Sequence, residues 1–183
     1  MTRVRFATAR ALFEAFPGNI TGIEAEPTDE FPLEFLRRLA SQGKLEDAVS
    51  FCAYLLPRRE AVWWACRSAR ALLGTVGDRK AAGLQVAEAW VHEPDAEHMQ
   101  AARDVGTRGD SDDPMTWLAL AAGWSGGMLV SHPKAPVAVP PYMTARAARV
   151  AVLLCARSVS PAQRPARIRA CIEDGIRLAE SGL

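Results

Sequence analysis

The chain has 183 residues, of which 49% are hydrophobic and 23% are charged, and its formal net charge at pH 7 is +1. This length is sufficient for one domain with its own core, and the composition is typical of a soluble globular protein. A net charge so close to zero excludes a global field that would attract nucleic acid or an anionic membrane surface.

Apolar residues recur at helical spacing along nearly the whole chain, and the alternation that marks strands is almost absent. Prolines and acceptor side chains mark helix starts, among them Thr28, Asp78, Asp113 and Thr144, and glycines mark several helix ends. In chain order, residues 4–16 are a possible helix, and the other helical segments are residues 29–43, 44–54, 57–73, 78–90, 94–106, 114–124, 144–155 and 161–180.

These segments predict an all-α fold, namely a single-domain irregular helical bundle of about seven or eight helices spanning residues 1–183. The order of helix, short turn and helix is also compatible with helical-hairpin repeats, although the residues show no fixed period. Residues 1–27 are expected to form an N-terminal arm. The predicted core includes Val62, Trp63, Cys66, Trp117, Leu120, Val152 and Leu153.

Residues 126–141 form a predicted internal loop rich in proline and glycine. One interpretation is a recognition segment in polyproline conformation. The alternative is a spacer that fixes the last two helices against the others, and we favour it because Val137 and Val139 are suited to packing in a groove.

Neither the cysteines nor the apolar runs indicate a cofactor, a metal or a membrane segment. The four cysteines are far apart and form no C-x-x-C pair, so we expect reduced thiols in a cytoplasmic protein. No run reaches the ~20 apolar residues that a membrane span needs. Arg10 and Glu14 interrupt any apolar core of the kind found in signal peptides.

The helix predicted over residues 57–73 carries the most informative side chains. Trp63 and Trp64 are adjacent and therefore point about 100° apart on a helix. This helix is thus either buried on two sides or offers one tryptophan to a partner. Arginine and tryptophan are enriched in interface hot spots, so the candidate partner-binding residues are Arg58, Arg59, Trp63, Trp64, Arg67 and Arg70. The alternative interpretation of the four arginines is a solvated face or a network of ion pairs, and we favour it over a nucleic-acid site because the chain is near neutral and Glu60 lies among them. An acidic patch on a protein partner is the third interpretation.

Gly123-Trp124-Ser125-Gly126-Gly127 matches the G-x-S-x-G pattern of a nucleophile elbow. That motif requires a strand before the serine, whereas a helix is predicted here. It also requires an acid and then a histidine after the serine, and His132 is the one later histidine, with no carboxylate between it and Ser125. A helix that ends at glycine and enters a loop explains the pattern better.

Two acidic stretches superficially resemble metal sites. His92 to His98 lacks the spacing of H-E-x-x-H, because position 96 is alanine and Pro94 interrupts the run. Residues 110–113 lack the central glycine and the final glutamate of a calcium-binding EF-hand loop. We therefore expect neither a catalytic residue nor a metal ligand in either stretch.

Two segments carry a resemblance to a known family: Leu55 to Cys66, and Gly123 to Gly127 with the proline-rich run through Ala147. Together they resemble an uncharacterised family of short bacterial helical proteins encoded near type VI secretion genes. The resemblance extends over roughly residues 30–180. It implies an accessory or adaptor role beside secreted effectors and no particular activity.

From the residues, the expected function is a non-enzymatic cytoplasmic adaptor or chaperone-like protein that binds another protein. A secretion-system effector or component is one candidate partner, and neither nucleic acid nor a membrane is expected as one. The alternatives are a serine hydrolase that uses Ser125 and an immunity protein that blocks a toxin.

Overall fold

The computed structural model describes residues 4–74, 81–130 and 137–181. Over these residues the backbone forms nine α-helices and one pair of short strands, which confirms the all-α prediction. The helices are α1 (Ala9–Ala15), α2 (Pro32–Ser41), α3 (Leu45–Leu55), α4 (Arg58–Leu73), α5 (Ala82–His92), α6 (Ala96–Thr107), α7 (Pro114–Gly123), α8 (Met143–Arg157) and α9 (Arg164–Ser181). The strands are β1 (Met128–Val130) and β2 (Val137–Ala138).

The helix starts show which capping predictions hold. Asp113 caps α7 by accepting a hydrogen bond from the Met115 N–H at 2.9 Å, as predicted. The predictions for Thr28 and Thr144 are wrong. Helix α2 begins later, at Pro32, and the Thr144 hydroxyl lies inside α8, where it donates to the carbonyl of Trp124. The predicted cap Asp78 lies outside the described residues.

Buried residues from all nine helices form one hydrophobic cluster. Helix α4 lies at its centre and contacts α5, α7, α8 and α9, while α8 also contacts α3 and α7. Close approach of α9 to α3 and α4 depends on Gly175, since a Cβ atom there would meet Cys52 Sγ and lie 2.9 Å from Trp64 Nε1.

Four of the seven predicted core residues are buried: Val62, Cys66, Leu120 and Val152. The prediction is wrong for the other three, because Trp63, Trp117 and Leu153 are only partly buried and pack against the edge of the cluster. Helical spacing identifies the apolar face of a helix, but the fit of neighbouring helices decides how far each side chain is covered.

Aromatic side chains attach the N-terminal segment to α2 and α3. The Phe13 ring lies 6.2 Å from that of Phe35 and 6.1 Å from that of Phe51. The Phe16 ring lies 5.6 Å from that of Tyr54. The helix predicted over residues 4–16 forms only from Ala9, because the Thr8 side chain caps it by accepting from the Ala11 N–H.

The predicted loop over residues 126–141 contains the two strands, which the sequence pattern did not indicate. They pair antiparallel, with Met128 opposite Ala138. Leu129 and Val137 are 42% and 45% exposed, so the packing expected of Val137 is not found, whereas Val139 is buried. The predicted loop residues His132, Pro133 and Pro136 lie outside the described residues.

Among the described helices, none combines the length and the apolar character that crossing a lipid bilayer requires.

Candidate protein-binding surface

Arg58 and Arg59 lie at the start of α4, and both are exposed. Arg58 Nη1 donates to the carbonyl of Ser125 at 2.7 Å, and Arg59 Nε donates to the carbonyl of Val91 at 2.7 Å. Each contact uses one of the five N–H donors of a guanidinium and neutralises no charge. The two side chains are therefore held in place by main-chain oxygens, and neither positive charge is paired with a carboxylate.

No carboxylate forms an ion pair with Arg58 or Arg59 in the part of the chain that the structure describes. Amide groups at the start of a helix add a partial positive charge of their own. The first turn of α4 also contains Glu60, which offsets part of this charge. The start of α4 is thus a local positive site on a chain whose net charge is only +1.

Trp63 lies one turn further along α4 and is partly buried. Its ring contacts that of His92 edge to face, with the ring centroids 5.9 Å apart and an interplanar angle of 63°. His92 is the last residue of α5 and is exposed. Trp63 and Arg59 therefore both lie beside the end of α5, where Arg59 contacts the carbonyl of Val91, and Arg58 lies on the side of α4 that meets the turn after α7. We call Arg58, Arg59, Trp63 and His92 together the α4 surface.

Trp64 is fully buried and does not belong to this surface. Its Nε1–H donates to the carbonyl of Cys171 on α9 at 2.8 Å. A tryptophan that is both covered and hydrogen-bonded stabilises the fold and offers nothing to a partner. The structure thus distinguishes two adjacent tryptophans that the sequence left equivalent.

Arg67 and Arg70 differ from the arginines at the start of the helix because both are ion-paired. Arg67 Nη2 lies 2.6 Å from Asp174 Oδ1 on α9. Arg70 makes two hydrogen bonds to the Glu88 carboxylate on α5, at 2.6 and 2.7 Å, and these raise the pKa of Arg70. The second half of α4 is therefore a set of ion pairs, as the alternative interpretation expected.

Ser125 lies in the turn after α7. Its carbonyl accepts the Arg58 hydrogen bond, and within the described residues no hydrogen bond reaches its hydroxyl. The residue before it belongs to a helix end and not to a strand, so the local geometry is not that of a nucleophile elbow. His132, the histidine that a hydrolase would need, lies outside the described residues.

Arg103, on α6, fixes the same turn and was missed at the sequence level. Its guanidinium donates to the carbonyls of Gly123, Gly126 and Met128 at distances of 2.6–2.9 Å. These contacts satisfy helix-end carbonyls and anchor the start of β1. The planar, forked shape of the guanidinium allows one side chain to reach all three.

Within the described residues, one group has the proximity that a metal ion needs: the potential ligand atoms of Glu93, Asp95 and His98 lie within 4.8 Å of one another. Asp95 Oδ1 already caps α6 by accepting from the His98 N–H and also contacts His98 Nδ1 at 2.9 Å. These hydrogen bonds lower the pKa of Asp95, and the side-chain bond raises the pKa of His98. Capping and an exposed ion pair account for the group, and we assign no metal to it.

The four cysteines are free and buried. Burial raises the pKa of Cys155 to about 12, and it raises the pKa of Cys52, Cys66 and Cys171 as well. Thiols held in the protonated form are poor nucleophiles and poor metal ligands. These residues therefore serve as small core side chains.

The described residues form a small all-α protein, and the start of α4 carries a partly buried tryptophan and two arginines without carboxylate partners. Residues 35–179 match the family model described as "Family of unknown function (DUF6931)". The chain belongs to that family, and the match includes the whole α4 surface. A search of curated proteins found no match, and neither did a search of solved structures.

Proposed function

We propose that this protein is a non-enzymatic, cytoplasmic adaptor or chaperone-like protein that binds another protein through the α4 surface. The observation that carries the proposal is the contrast along one helix. Arg67 and Arg70 are paired with carboxylates, whereas Arg58 and Arg59, in the same half of the helix as the partly buried Trp63, are not.

The geometry favours a partner with an acidic patch. Contacts to main-chain carbonyls hold the two guanidinium groups in position, so binding costs little further side-chain entropy. Most of their N–H donors are available for bidentate contacts with carboxylates. Trp63 supplies a rigid apolar surface next to these charges, and tryptophan with arginine is the combination most enriched in hot spots. A secretion-system effector or component with such a patch is one candidate.

The test is affinity capture of the tagged protein from a lysate of its native cells, read by mass spectrometry. The variants are Trp63→Ala and the double variant Arg58→Gln/Arg59→Gln. Arg67→Gln is the matched control, since it removes an arginine from the same helix and leaves Asp174 in contact with Arg177 at 3.2 Å.

We expect a specific acidic partner that is retained by Arg67→Gln and lost by both surface variants. Retention of the partner by Trp63→Ala and by the double arginine variant would contradict the assignment of the α4 surface. The absence of any specific partner from repeated captures under several growth conditions would contradict the adaptor proposal itself.

A further inference from the structure

A cavity of about 300 Å³ opens beside the start of α4, with apolar walls and two arginines. Phe16, Leu56 and Pro141 contribute to the walls, and Arg5 and Arg58 are its charged lining residues. This volume is at the small end of the range for ligand sites. The combination of an apolar interior and a few convergent polar groups is typical of a small-molecule site.

Arg5 is held at this cavity by two contacts. Its Nη2 donates to the carbonyl of Leu56 at 3.3 Å, and its guanidinium lies 5.1 Å from the centre of the Phe6 ring. Like Arg58, it forms no ion pair with a carboxylate among the described residues. Both guanidinium groups therefore keep unused donors at the cavity.

The two positive charges repel each other across the cavity. Desolvation by neighbouring atoms lowers the pKa of Arg5, and the charge of Arg58 lowers it further, while Glu60 acts in the opposite direction. No carboxylate is among the described residues that line the cavity. Of those residues, Tyr54 is also polar, and its hydroxyl donates to the carbonyl of Asn19 at 3.1 Å. An anion between the arginines would relieve the repulsion.

We propose that this cavity binds a small carboxylate with an apolar body, its carboxylate between Arg5 and Arg58 and its apolar part against Phe16, Leu56 and Pro141. A carboxylate matches the forked donors of arginine in a bidentate geometry. The apolar walls favour an organic acid over an inorganic anion. The cavity is a separate site from the α4 surface, although Arg58 belongs to both.

The experiment is a titration with phenylacetate, followed by protein-observed NMR, using phenylacetamide as the neutral isostere and inorganic phosphate as the anion without an apolar body. N-acetyl-phenylalanine is a further probe, because it presents the same chemistry as the last residue of a peptide. The expected result is saturable binding of phenylacetate, with shifts at Phe16 and Tyr54, and weaker binding of both comparison compounds. Tighter binding of N-acetyl-phenylalanine than of phenylacetate would show that the natural ligand is the C-terminus of a peptide.

The variants Arg5→Gln and Arg58→Gln are expected to weaken phenylacetate binding by about tenfold or more, since each removes a charge-assisted hydrogen bond. Arg67→Gln is expected to leave it unchanged, and circular dichroism checks that each variant is folded. Equal binding of phenylacetamide and phenylacetate, or no binding at all, would overturn the proposal. The proposal would also be overturned if Arg5→Gln and Arg58→Gln are both folded and both still bind phenylacetate as the unsubstituted protein does.

Ligand binding in the cavity and protein binding at the α4 surface can be tested separately. Arg5 lines the cavity but is not part of the α4 surface, and Arg59 is part of the α4 surface but does not line the cavity. A loss of phenylacetate binding in Arg5→Gln with normal protein capture supports the cavity on its own. Loss of capture without any phenylacetate binding supports only the α4 surface.

Discussion

Trp63 and Trp64 offer a direct test of the fold, because adjacent residues of the same type are given opposite roles. Trp64 is 0% exposed and donates a 2.8 Å hydrogen bond to the carbonyl of Cys171, whereas Trp63 is partly buried against His92. We predict that Trp64→Phe destabilises the protein more than Trp63→Phe does. The two substitutions are matched in chemistry and differ only in surroundings.

The magnitude follows from what each side chain loses. A buried tryptophan removes about 150–250 Å² from water, which at about 25 cal/mol per Å² corresponds to about 4–6 kcal/mol. Truncation to alanine would therefore consume much of a total stability of about 5–15 kcal/mol. Phenylalanine at position 64 keeps most of the apolar area but loses the hydrogen bond and leaves a cavity, so we expect a loss of about 2–3 kcal/mol. At position 63 we expect about 0.5–1 kcal/mol, because part of the ring already faces solvent.

Urea unfolding followed by circular dichroism at the helical minimum measures both values, and it avoids tryptophan fluorescence, which the substitutions themselves change. The slope of the free energy against urea concentration should remain that of the unsubstituted protein, which shows that the compactness of the end states is unchanged. If Trp63→Phe lowers the free energy of unfolding as much as Trp64→Phe does, or more, the packing of α9 against Trp64 would be refuted.

Gly175→Ala should lower the free energy of unfolding by about 1–3 kcal/mol, because its Cβ atom would overlap side chains of α3 and α4, and an unchanged urea midpoint would contradict this. Arg103→Lys should speed amide hydrogen exchange over residues 123–128, since lysine lacks the fork that contacts three carbonyls there, and mass spectrometry measures the rates. Asp95→Asn should lower the pKa of His98 toward its ordinary value in an NMR titration. The Asp95–His98 pair contributes most to the stability of the fold at pH values between the ordinary pKa of Asp95 and the ordinary pKa of His98. This contribution is lost as the pH rises through the raised pKa of His98, and also as the pH falls through the lowered pKa of Asp95.

Local sequence signals predicted most of the helices. The helical spacing predicts one helix over residues 57–73, and the structure has α4 over Arg58–Leu73. The Asp113-Pro114 pair predicts a cap at Asp113, which the structure confirms. These features depend on residues within one or two turns of each other, so spacing and capping chemistry are sufficient to find them.

The features that the sequence did not reveal depend on contacts between distant segments. Trp64 is buried because Cys171 and Gly175 of α9 lie against it, about a hundred residues further along the chain. Arg5 reaches the carbonyl of Leu56 because the N-terminal segment packs on α3. No local pattern in the sequence marks residues that come together from distant segments. The same holds for Arg103, whose acceptors belong to the turn after the next helix.

The distribution of charge partners along α4 explains why one helix can serve both the core and a surface. Its second half faces α5 and α9, and there Glu88 and Asp174 neutralise Arg70 and Arg67 at the edges of packed interfaces. Its first turn lies by the end of α5 and the turn after α7, where the acceptors are the carbonyls of Val91 and Ser125, which hold a guanidinium without cancelling its charge. Positive charge therefore remains at the start of α4, and this end of the helix is where we expect an acidic partner of the protein to bind.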